Sequence, residues 1–464
     1  MRVVLAGGGS AGHVEPALAL ADALREADSG ISVTCLGTEQ GLEARLVPMR
    51  GYELEFVPKV PLPRSVSPAV FAMPGKLAGA VHAVGQVLDR VQADVVVGFG
   101  GYVSAPAYLA AKRHHVPAVV HEANPTPGFA NRLGAMLTDY VYVNYPDTKL
   151  KGARHIGLPI RRTIAELDRF KLGDEARAHF GLRKDLPVLL VTGGSQGAVS
   201  LNQALAGAVS SILNAGVQVL HVTGPKNSSD IHVPRGGQAA PYVAVPYVDR
   251  MDLAYAAADF ALCRSGAMTC AELTAVGLPA AYVPLPHGNG EQRLNAEPIV
   301  ARGGGLLVAD HELTAEWITR SLLPVLTNID HVAGMSEAAS SLGRRDADRA
   351  LARAVIDVIA AERSARGEAA GGGAPQAALP PSSGPAPSGR PDERRQQARR
   401  PQRPEYQQQP QAPDRSFDAF SRPAPGQAQQ QYPPQPTYPA QPPSLPTRQP
   451  GQGPSPSSPG RHRR

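Results

Sequence analysis

The stretch that decides the fold is VVLAGGGSAGH, residues Val3–His13, close to the start of the chain. Its apolar beginning predicts a β-strand. Three glycines and Ser-Ala-Gly-His follow, and apolar residues then recur at helical spacing, with Pro16 expected in the first helical turn. A strand, a glycine loop and a helix in this order direct unpaired backbone N–H groups toward a phosphate.

Gly7, Gly9 and Gly12 also fit the G-x-G-x-x-G fingerprint of dinucleotide-binding enzymes, which makes an NAD-dependent dehydrogenase one hypothesis. Such an enzyme needs an acidic residue at the end of the second strand to bind a ribose. Glu39 is only loosely placed for that purpose. The hypothesis also leaves the later motifs of the chain without a function, so it is the weaker one.

Composition divides the 464 residues near position 364. The last 101 residues hold 23 of the 46 prolines and almost no aliphatic residues, which predicts a disordered tail. They also carry 13 arginines against 6 acidic residues, whereas the preceding part is nearly neutral. The basic character therefore belongs to the tail, and a nucleic-acid-binding core is not expected.

The three cysteines, Cys35, Cys263 and Cys270, form no C-x-x-C pair. We expect their side chains to be buried in the fold and the protein to reside in a reducing compartment. No apolar run reaches the length of about 18 residues needed for a transmembrane helix. The short apolar run at the N-terminus does not fit a signal peptide. We therefore expect an intracellular protein, either soluble or peripheral to a membrane.

Apolar strands alternate with helices in two successive halves, separated by the charged stretch 161–184. The strands are continuously apolar, which is typical of parallel sheets covered on both faces. The fold class is therefore α/β with two doubly wound units. Predicted strands are 3–6, 31–36, 53–57, 95–97, 118–120, 140–143 and 154–160, then 188–192, 217–222, 242–245, 260–263, 280–283 and 305–308; helices are predicted over 66–91 and 346–361.

Six unusual loops each follow a predicted strand directly, and ligands bind at the carboxyl ends of strands in such sheets. Two facing sheets would bring all six loops to one cleft between the halves. These loops span 7–13, 98–104, 121–124, 193–197, 264–269 and 284–292.

In the second half, Ser195 and the N–H groups of Gly194–Gly197 can hold a diphosphate at a helix N-terminus, or the loop can be a tight turn that only packs. The stretch RSGAMTCAE places Glu272 about one turn into a helix, where its carboxylate can accept both hydroxyls of a ribose. The alternative is simple stabilisation of that helix. Gln292 and Asn295 suit sugar hydroxyls, or they are ordinary loop polarity.

Together, GGSAGH, HEAN, GGSQG, RSGAMTCAE and QRLN resemble, in order and spacing, the MurG family of bacterial cell-wall glycosyltransferases. The resemblance covers about residues 1–362. It implies the two-domain GT-B fold, with Rossmann-like domains over 1–162 and 163–345 facing across a cleft. A helix over 346–363 would return to the first domain, and 364–464 would be a disordered Pro/Gln/Arg-rich tail outside the family core.

The resemblance implies transfer of N-acetylglucosamine from UDP-N-acetylglucosamine to the C4 hydroxyl of the muramic acid unit of lipid I, giving lipid II. It assigns the sugar nucleotide mainly to the second domain, with several residues reaching in from the first. The chain departs from the family at Ser10-Ala11-Gly12, where Thr-Gly-Gly is common, and at Leu158, where asparagine is common. The implied binding residues are Ser195, Val248, Ala267, Met268, Thr269, Glu272, Gln292 and Asn295, with Asn124, Arg161, Ser10, Ala11 and Gly12 from the first domain.

Inverting transfer needs a general base at the acceptor hydroxyl and stabilisation of the departing UDP. His13 is the leading base, and the competing role is binding of the acceptor diphosphate. Glu122 and His121 are alternative bases, or structural residues. No metal or other cofactor is required. Asp346-Ala347-Asp348 matches a D-x-D pattern but is expected only to supply charge at a helix start.

A polyprenyl acceptor requires contact with the cytoplasmic face of the cell membrane. An apolar patch with a basic rim is predicted for this purpose, although the same residues can instead pack on their own sheet. Two other functions remain as alternatives: a natural-product glycosyltransferase with another acceptor, and a scaffold whose Pro-rich tail recruits cell-wall or division proteins. The patch comprises Val66, Val70, Phe71, Met73, Leu77 and Val81, rimmed by Arg64, Lys76 and His82.

Overall fold

The computed structural model describes residues 1–60, 73–225, 227, 239–287 and 289–367. All of them belong to one unit of the chain, Met1–Ala377. The predictions for the tail beyond residue 367, and for the patch residues between 61 and 72, lie outside the described residues. Within the described ranges, no helix is both long and apolar enough to cross a membrane.

The first half forms a seven-stranded parallel sheet in the order β3-β2-β1-β4-β5-β6-β7. Its strands are β1 (Arg2–Gly7), β2 (Ser32–Gly37), β3 (Glu53–Phe56), β4 (Val95–Gly100), β5 (Ala118–Glu122), β6 (Val141–Val143) and β7 (Arg154–His155). Its helices are α1 (Ala11–Ala27), α2 (Glu43–Met49), α3 (Met73–Val91), α4 (Ser104–Arg113) and α5 (Phe129–Ala135). We call this the first module.

The second half forms a six-stranded parallel sheet in the order β10-β9-β8-β11-β12-β13. After α6 (Arg162–Ala165) and α7 (Arg169–His179), its strands are β8 (Val188–Thr192), β9 (Gln218–Val222), β10 (Tyr242–Val245), β11 (Phe260–Cys263), β12 (Ala280–Tyr282) and β13 (Gly305–Leu307). Its helices are α8 (Val199–Asn214), α9 (Met251–Ala257), α10 (Ala267–Val276), α11 (Glu291–Ala301), α12 (Ala315–Trp317), continued through a π-helical turn (Ile318–Leu322) into α13 (Leu323–Leu326), and α14 (Ile329–Ser340). We call this the second module.

Both faces of each sheet are covered at its centre, which explains why central strands such as β1 and β8 are apolar over most of their length. In β1, Val3 and Leu5 belong to one core cluster, whereas Val4 and Ala6 belong to another on the opposite face. Successive residues of a strand point to opposite faces, so a strand covered on both sides must be apolar throughout. The prediction of two doubly wound parallel modules is confirmed.

The last helix, α15 (Ala347–Ala365), packs against the first module. Leu351, Val355 and Ile359 recur at intervals of four residues and are at most 2% exposed. They share a core cluster with residues of α1, including Leu24. Full burial of one such side chain is worth about 1.5–3 kcal/mol. The helix ends two residues beyond the expected boundary at 363, because Ser364 and Ala365 continue its hydrogen bonding.

Two local predictions are wrong. Pro16 lies in the second turn of α1, not the first, since the helix begins at Ala11. Pro16 has no N–H, so the carbonyl group of Gly12 lacks its usual helical partner. The strand predicted over 154–160 ends at His155. The following residues are instead buried between elements, because Leu158 contacts the second module.

The charged stretch 161–184 is also more than a linker, since it contains α6 and α7. Ile164 and Ala176 of these helices are completely buried in the core of the second module. Their burial fixes the chain where it crosses between the two sheets.

Candidate functional site

The glycine-rich loops lie where the strand order of each sheet reverses. In the first module the reversal falls between β1 and β4, and in the second between β8 and β11. Ligands of open α/β sheets bind outside the carboxyl ends of the strands at such points. The loops that leave these four strands are therefore the candidate binding loops, as their sequences predicted.

The loops that follow β1 and β4 pack directly against each other. A Cβ atom at Gly101, whose φ is +81°, would lie 2.2 Å from the carbonyl oxygen of Gly8. Any other residue would therefore force the two loops apart. This close approach brings the start of α1 alongside the loop 100–104.

His13 lies in the first turn of α1, with its ring over Gly100 and Gly101. Its Nδ1 atom is 3.0 Å from the Ser10 hydroxyl oxygen. Burial lowers the pKa of His13 below 6.5, and the negative charges of Glu122 and Glu291 partly offset this effect. The imidazole is therefore mainly neutral at pH 7, the form that accepts a proton. Glu291 begins α11, so His13 senses a charge of the opposite module.

Ser10, Ala11 and Gly12 form the beginning of α1, as expected for a diphosphate-binding loop. Ser10 occupies the N-cap position with extended backbone, but its side chain caps no N–H of the helix. The hydroxyl instead contacts His13. The first N–H groups of α1 thus remain available to an anionic ligand.

Glu43, the first residue of α2, supports this glycine loop. No motif in the sequence predicted that contact. The Glu43 carboxylate is completely buried and accepts hydrogen bonds from the Gly9 N–H at 2.9 Å and from the N–H and hydroxyl of Thr38. It therefore fastens the glycine loop to the end of β2. Because Gly9 donates to Glu43, its N–H is not free for a phosphate.

The alternative bases, His121 and Glu122, are both held in structural contacts. Glu122 accepts from the backbone N–H groups of Asn124 and Gly128 and from the Asn131 side-chain amide, all within 3.0 Å. His121 is completely buried, contacts the Gly157 carbonyl oxygen at 2.8 Å, and has its pKa lowered to about 4 by burial. These contacts favour the structural role for both residues.

Two helices of the second module begin at the opposing loops. In α8 and α10 the N-cap residues are Ala198 and Gly266, and neither helix has a side-chain cap. Ala267, Met268 and Thr269 form the first turn of α10, and Ser195 is exposed in the loop before α8. Uncapped helix starts present several N–H donors and a positive dipole end, which suits a diphosphate.

Arg264, just before α10, links the loop of α10 to the start of α8. Its guanidinium donates to the Ser200 hydroxyl at 2.9 Å and forms an ion pair with Asp310 at 2.5 Å. It also reaches the carbonyl oxygens of Val283 and Pro284. The sequence marked this arginine as part of a motif, and the structure places it as a support of the loops rather than as an exposed ligand.

Glu272, expected to bind a ribose, lies in the second turn of α10 and is 3% exposed. Its Oε1 atom is 3.1 Å from Arg161, which enters from the segment between the two sheets. Its Oε2 atom accepts a hydrogen bond of 2.8 Å from the Tyr255 hydroxyl. The structure therefore brings Arg161 and Glu272 together as predicted for one site, and adds Tyr255, for which the sequence held no signal.

Three predicted residues remain, Val248, Gln292 and Asn295, and each already makes contacts within the protein. Val248 is 9% exposed and packs in the core of the second module, and the Gln292 side chain accepts from the Leu285 N–H at 3.0 Å. Asn295, predicted to suit a sugar hydroxyl, is completely buried and lies within α11. Its amide donates to the Ser265 carbonyl oxygen and lies 3.4 Å from Asn124 of the first module. Asn295 thus lies where α11 meets the first module, and its role as a sugar ligand stays a prediction.

The D-x-D match lies at the start of α15, away from the binding loops. Asp348 is 2% exposed and forms an ion pair of 3.2 Å with Arg162 of α6. Arg162 also pairs with Glu26 of α1. These residues tie the crossing segment to the last helix, so their charges serve the helix start and its anchoring.

Comparison with known families decides how this site is to be interpreted. A model of the glycosyltransferase family 28 N-terminal domain matches residues 3–143, and a model of the family 28 C-terminal domain matches residues 188–351. The chain belongs to glycosyltransferase family 28. A family 28 protein is a glycosyltransferase, which excludes the dehydrogenase hypothesis for the first glycine loop.

Family 28 relatives align with nearly their whole length. A protein of Thermobifida fusca (strain YX) is 62% identical over 364 residues, covering 78% of this chain and 96% of the relative. One of Streptomyces coelicolor is 59% identical over 362 residues, covering 78% and 99%. Both are named UDP-N-acetylglucosamine–N-acetylmuramyl-(pentapeptide) pyrophosphoryl-undecaprenol N-acetylglucosamine transferase.

Solved structures agree with the family 28 assignment. The crystal structure of Acinetobacter baumannii MurG superposes with a TM-score of 0.63 at 27% identity, covering 78% of this chain and 99% of that one. The calicheamicin glycosyltransferase CalG4 superposes with a TM-score of 0.53 at 18% identity, covering 80% and 99%. The second likeness concerns the fold alone. The predicted GT-B fold class is thus confirmed.

Proposed function

We propose that this protein transfers N-acetylglucosamine from UDP-N-acetylglucosamine to the C4 hydroxyl of the muramic acid unit of lipid I, forming lipid II for peptidoglycan. The observation that carries the proposal is the 62% identity to a transferase of that name over nearly its whole length. The geometry supports it, because each module offers an uncapped helix start beside a glycine loop. One such loop serves a diphosphate-linked donor and the other a diphosphate-linked acceptor.

On the acceptor side, His13 is the proposed general base. A base role requires the tautomer with the proton on Nδ1, where it donates to the Ser10 oxygen and leaves Nε2 free. Nε2 then takes the proton of the C4 hydroxyl as the new glycosidic bond forms and the bond to UDP breaks. The lowered pKa of His13 keeps this atom unprotonated at neutral pH.

On the donor side, the proposed ligands of the sugar nucleotide are Ser195, the first turn of α10 and Glu272. Negative charge develops on the diphosphate as UDP departs. The N–H groups and dipoles at the starts of α8 and α10 stabilise that charge, and Arg161 adds a full positive charge. The chain's own groups thus supply the electrostatic stabilisation that the reaction needs.

We also propose that the boundaries 1–162, 163–345 and 346–363 separate the functional parts, and that the first part meets the cytoplasmic face of the membrane. A lipid acceptor supports this, as do Lys76 and His82, which are exposed on α3. Replacing Phe71 and Leu77 together by Asp should lower binding to anionic vesicles while UDP binding stays unchanged. Unchanged vesicle binding would refute the membrane assignment.

The tail from 364 to 464 is proposed to recruit other cell-wall or division proteins through its Pro-rich sequence. Removing residues 368–464 should then leave transfer in solution unchanged. A loss of transfer would instead make the tail part of the catalytic unit.

The test of the proposed function is transfer of labelled N-acetylglucosamine from UDP to a lipid I analogue. We expect a product with the added sugar, and none when the C4 hydroxyl of the acceptor is replaced by hydrogen. Transfer to an unrelated polyketide aglycone, with none to lipid I, would favour the natural-product alternative. Absence of UDP binding would refute both.

A further inference from the structure

The carboxylate of Glu272 is held by two side chains from different parts of the chain. Tyr255, on α9, donates to Oε2 at 2.8 Å, and Arg161, from the segment between the sheets, approaches Oε1 at 3.1 Å. The Glu272 side chain is only 4% exposed, whereas that of Arg161 is 22% exposed. Arg161 is therefore the solvent-side cover of this carboxylate, and Tyr255 is its inner support.

Tyr255 is built to be a permanent donor. It is 2% exposed, and burial raises its pKa well above 10, so its hydroxyl keeps its proton at any physiological pH. A carboxylate is an acceptor only, with about four lone-pair positions on its two oxygens. By occupying one position of Oε2, Tyr255 fixes the rotation of the carboxylate and the direction in which Oε1 points.

Arg161 covers the solvent side of Glu272, from which a ribose would have to approach. A guanidinium prefers bidentate contact with phosphate or carboxylate groups, and the Glu272 charge raises the pKa of Arg161, so it stays charged. Because Glu272 is enclosed on its other sides, we expect ribose hydroxyls to reach its free lone pairs only after Arg161 moves aside. The diphosphate of a sugar nucleotide carries more negative charge than one carboxylate, so it is a stronger partner for the same arginine.

We propose that Tyr255 is a positioning residue for recognition of the donor's ribose, and that the diphosphate draws Arg161 off Glu272 to open that site. Tyr255 keeps Oε2 in place while Oε1 passes from the guanidinium to the ribose hydroxyls. The phosphates and the ribose of the donor are thus recognised together, because binding of the phosphates frees the Glu272 carboxylate to bind the ribose. This inference rests on the proposed function, which supplies the nucleotide.

The first experiment compares binding of UDP and 2′-deoxy-UDP by calorimetry in the wild type, Tyr255→Phe and Tyr282→Phe. Tyr282 is the matched control, since it is completely buried in the same module and its hydroxyl has no partner among the described residues. We expect the wild type to prefer UDP by about tenfold, as one hydrogen bond to a charged group implies. Tyr255→Phe should lower that preference to about twofold by weakening UDP alone.

Three results would count against the inference. Equal weakening of both nucleotides by Tyr255→Phe would mean that the hydroxyl only stabilises the fold. Equal affinity of the wild type for UDP and 2′-deoxy-UDP would mean that the protein does not bind the 2′-hydroxyl of the ribose. A wild type that binds neither would refute the proposed function, which the transfer assay examines separately.

The second experiment tests the movement of Arg161 with uridine, which lacks phosphates. If Arg161 covers Glu272, then Arg161→Ala should weaken the binding of UDP by about tenfold or more but strengthen the binding of uridine by about threefold. Arg161→Gln should change both affinities in the same directions. An arginine that only binds phosphate would leave uridine binding unchanged. Unchanged or weaker uridine binding in both folded variants would overturn the proposed movement.

Discussion

The Nδ1 atom of His13 and the hydroxyl oxygen of Ser10 lie 3.0 Å apart within the first turn of α1. The contact fixes the imidazole at the wall of the first module, with its ring over the glycines that follow β4. A glycine loop that resembles a dinucleotide fingerprint thereby holds the histidine that we propose as the general base.

The pH dependence of transfer should report the lowered pKa of His13. Burial lowers this pKa below 6.5, so the neutral base persists at neutral pH and is lost only under acidic conditions. We expect kcat/KM for the acceptor to be constant from about pH 7 upward and to fall with a midpoint below about 6.5. Rates measured with saturating donor between pH 5 and 8 would check this, and a midpoint above 7 would contradict it.

Removing the Glu43 carboxylate should damage the acceptor side alone. Glu43 fastens Gly9 and Thr38, and Glu43→Ala removes the acceptor of the Gly9 N–H and leaves the buried Thr38 N–H without a partner. We expect the KM for the acceptor to rise about tenfold and the free energy of unfolding to fall by about 2–4 kcal/mol. Binding of UDP-N-acetylglucosamine should be unchanged. Glu39→Ala, at an exposed position of the same region, is the matched control.

An equal loss of donor affinity in Glu43→Ala would mean that the two sides of the cleft are not separate. Calorimetry with the donor and steady-state kinetics with the acceptor distinguish these outcomes.

Two buried histidines should make the fold sensitive to acid. Burial lowers the pKa values of His121 and His221 to about 4 each, whereas a histidine of the unfolded chain titrates near 6.5. Between these values the unfolded chain binds protons that the folded protein does not. Stability is therefore complete above about pH 6.5 and falls toward pH 4, by about 1.4 kcal/mol per pH unit for each histidine.

Denaturant unfolding at several pH values would measure this effect. His221→Gln should reduce the slope of the unfolding free energy against pH by about half, since one of the two buried histidines is removed. His331→Gln, at an exposed position, should leave that slope as in the wild type. A slope that is identical in all three proteins would exclude His221 as a source of the acid sensitivity.

The sequence predicted the positions of the binding loops well, because glycine runs after apolar strands are a local signal. It could not predict Glu43 or Tyr255, since each contacts a residue that is distant along the chain or on another helix. The contact between Asn295 and Asn124 was equally unpredictable, because the two residues lie in different modules and far apart along the chain.

Helix boundaries failed for a related reason. The start of α1 at Ala11 depends on the hydrogen bonds of Ser10 to the following turn, which the spacing of apolar residues does not reveal. Pro16 was therefore placed one turn too early. Such boundary positions are set by backbone geometry rather than by side-chain pattern.

The central claim is that His13 accepts the proton of the acceptor hydroxyl while the donor binds on the opposite module. The most direct measurement compares the single-turnover rate of transfer to a lipid I analogue, and the Kd for UDP-N-acetylglucosamine, in wild type and His13→Ala. We predict a rate lower by about 10²–10⁴-fold with a donor Kd unchanged within about twofold. A transfer rate within about threefold of wild type would contradict the claim.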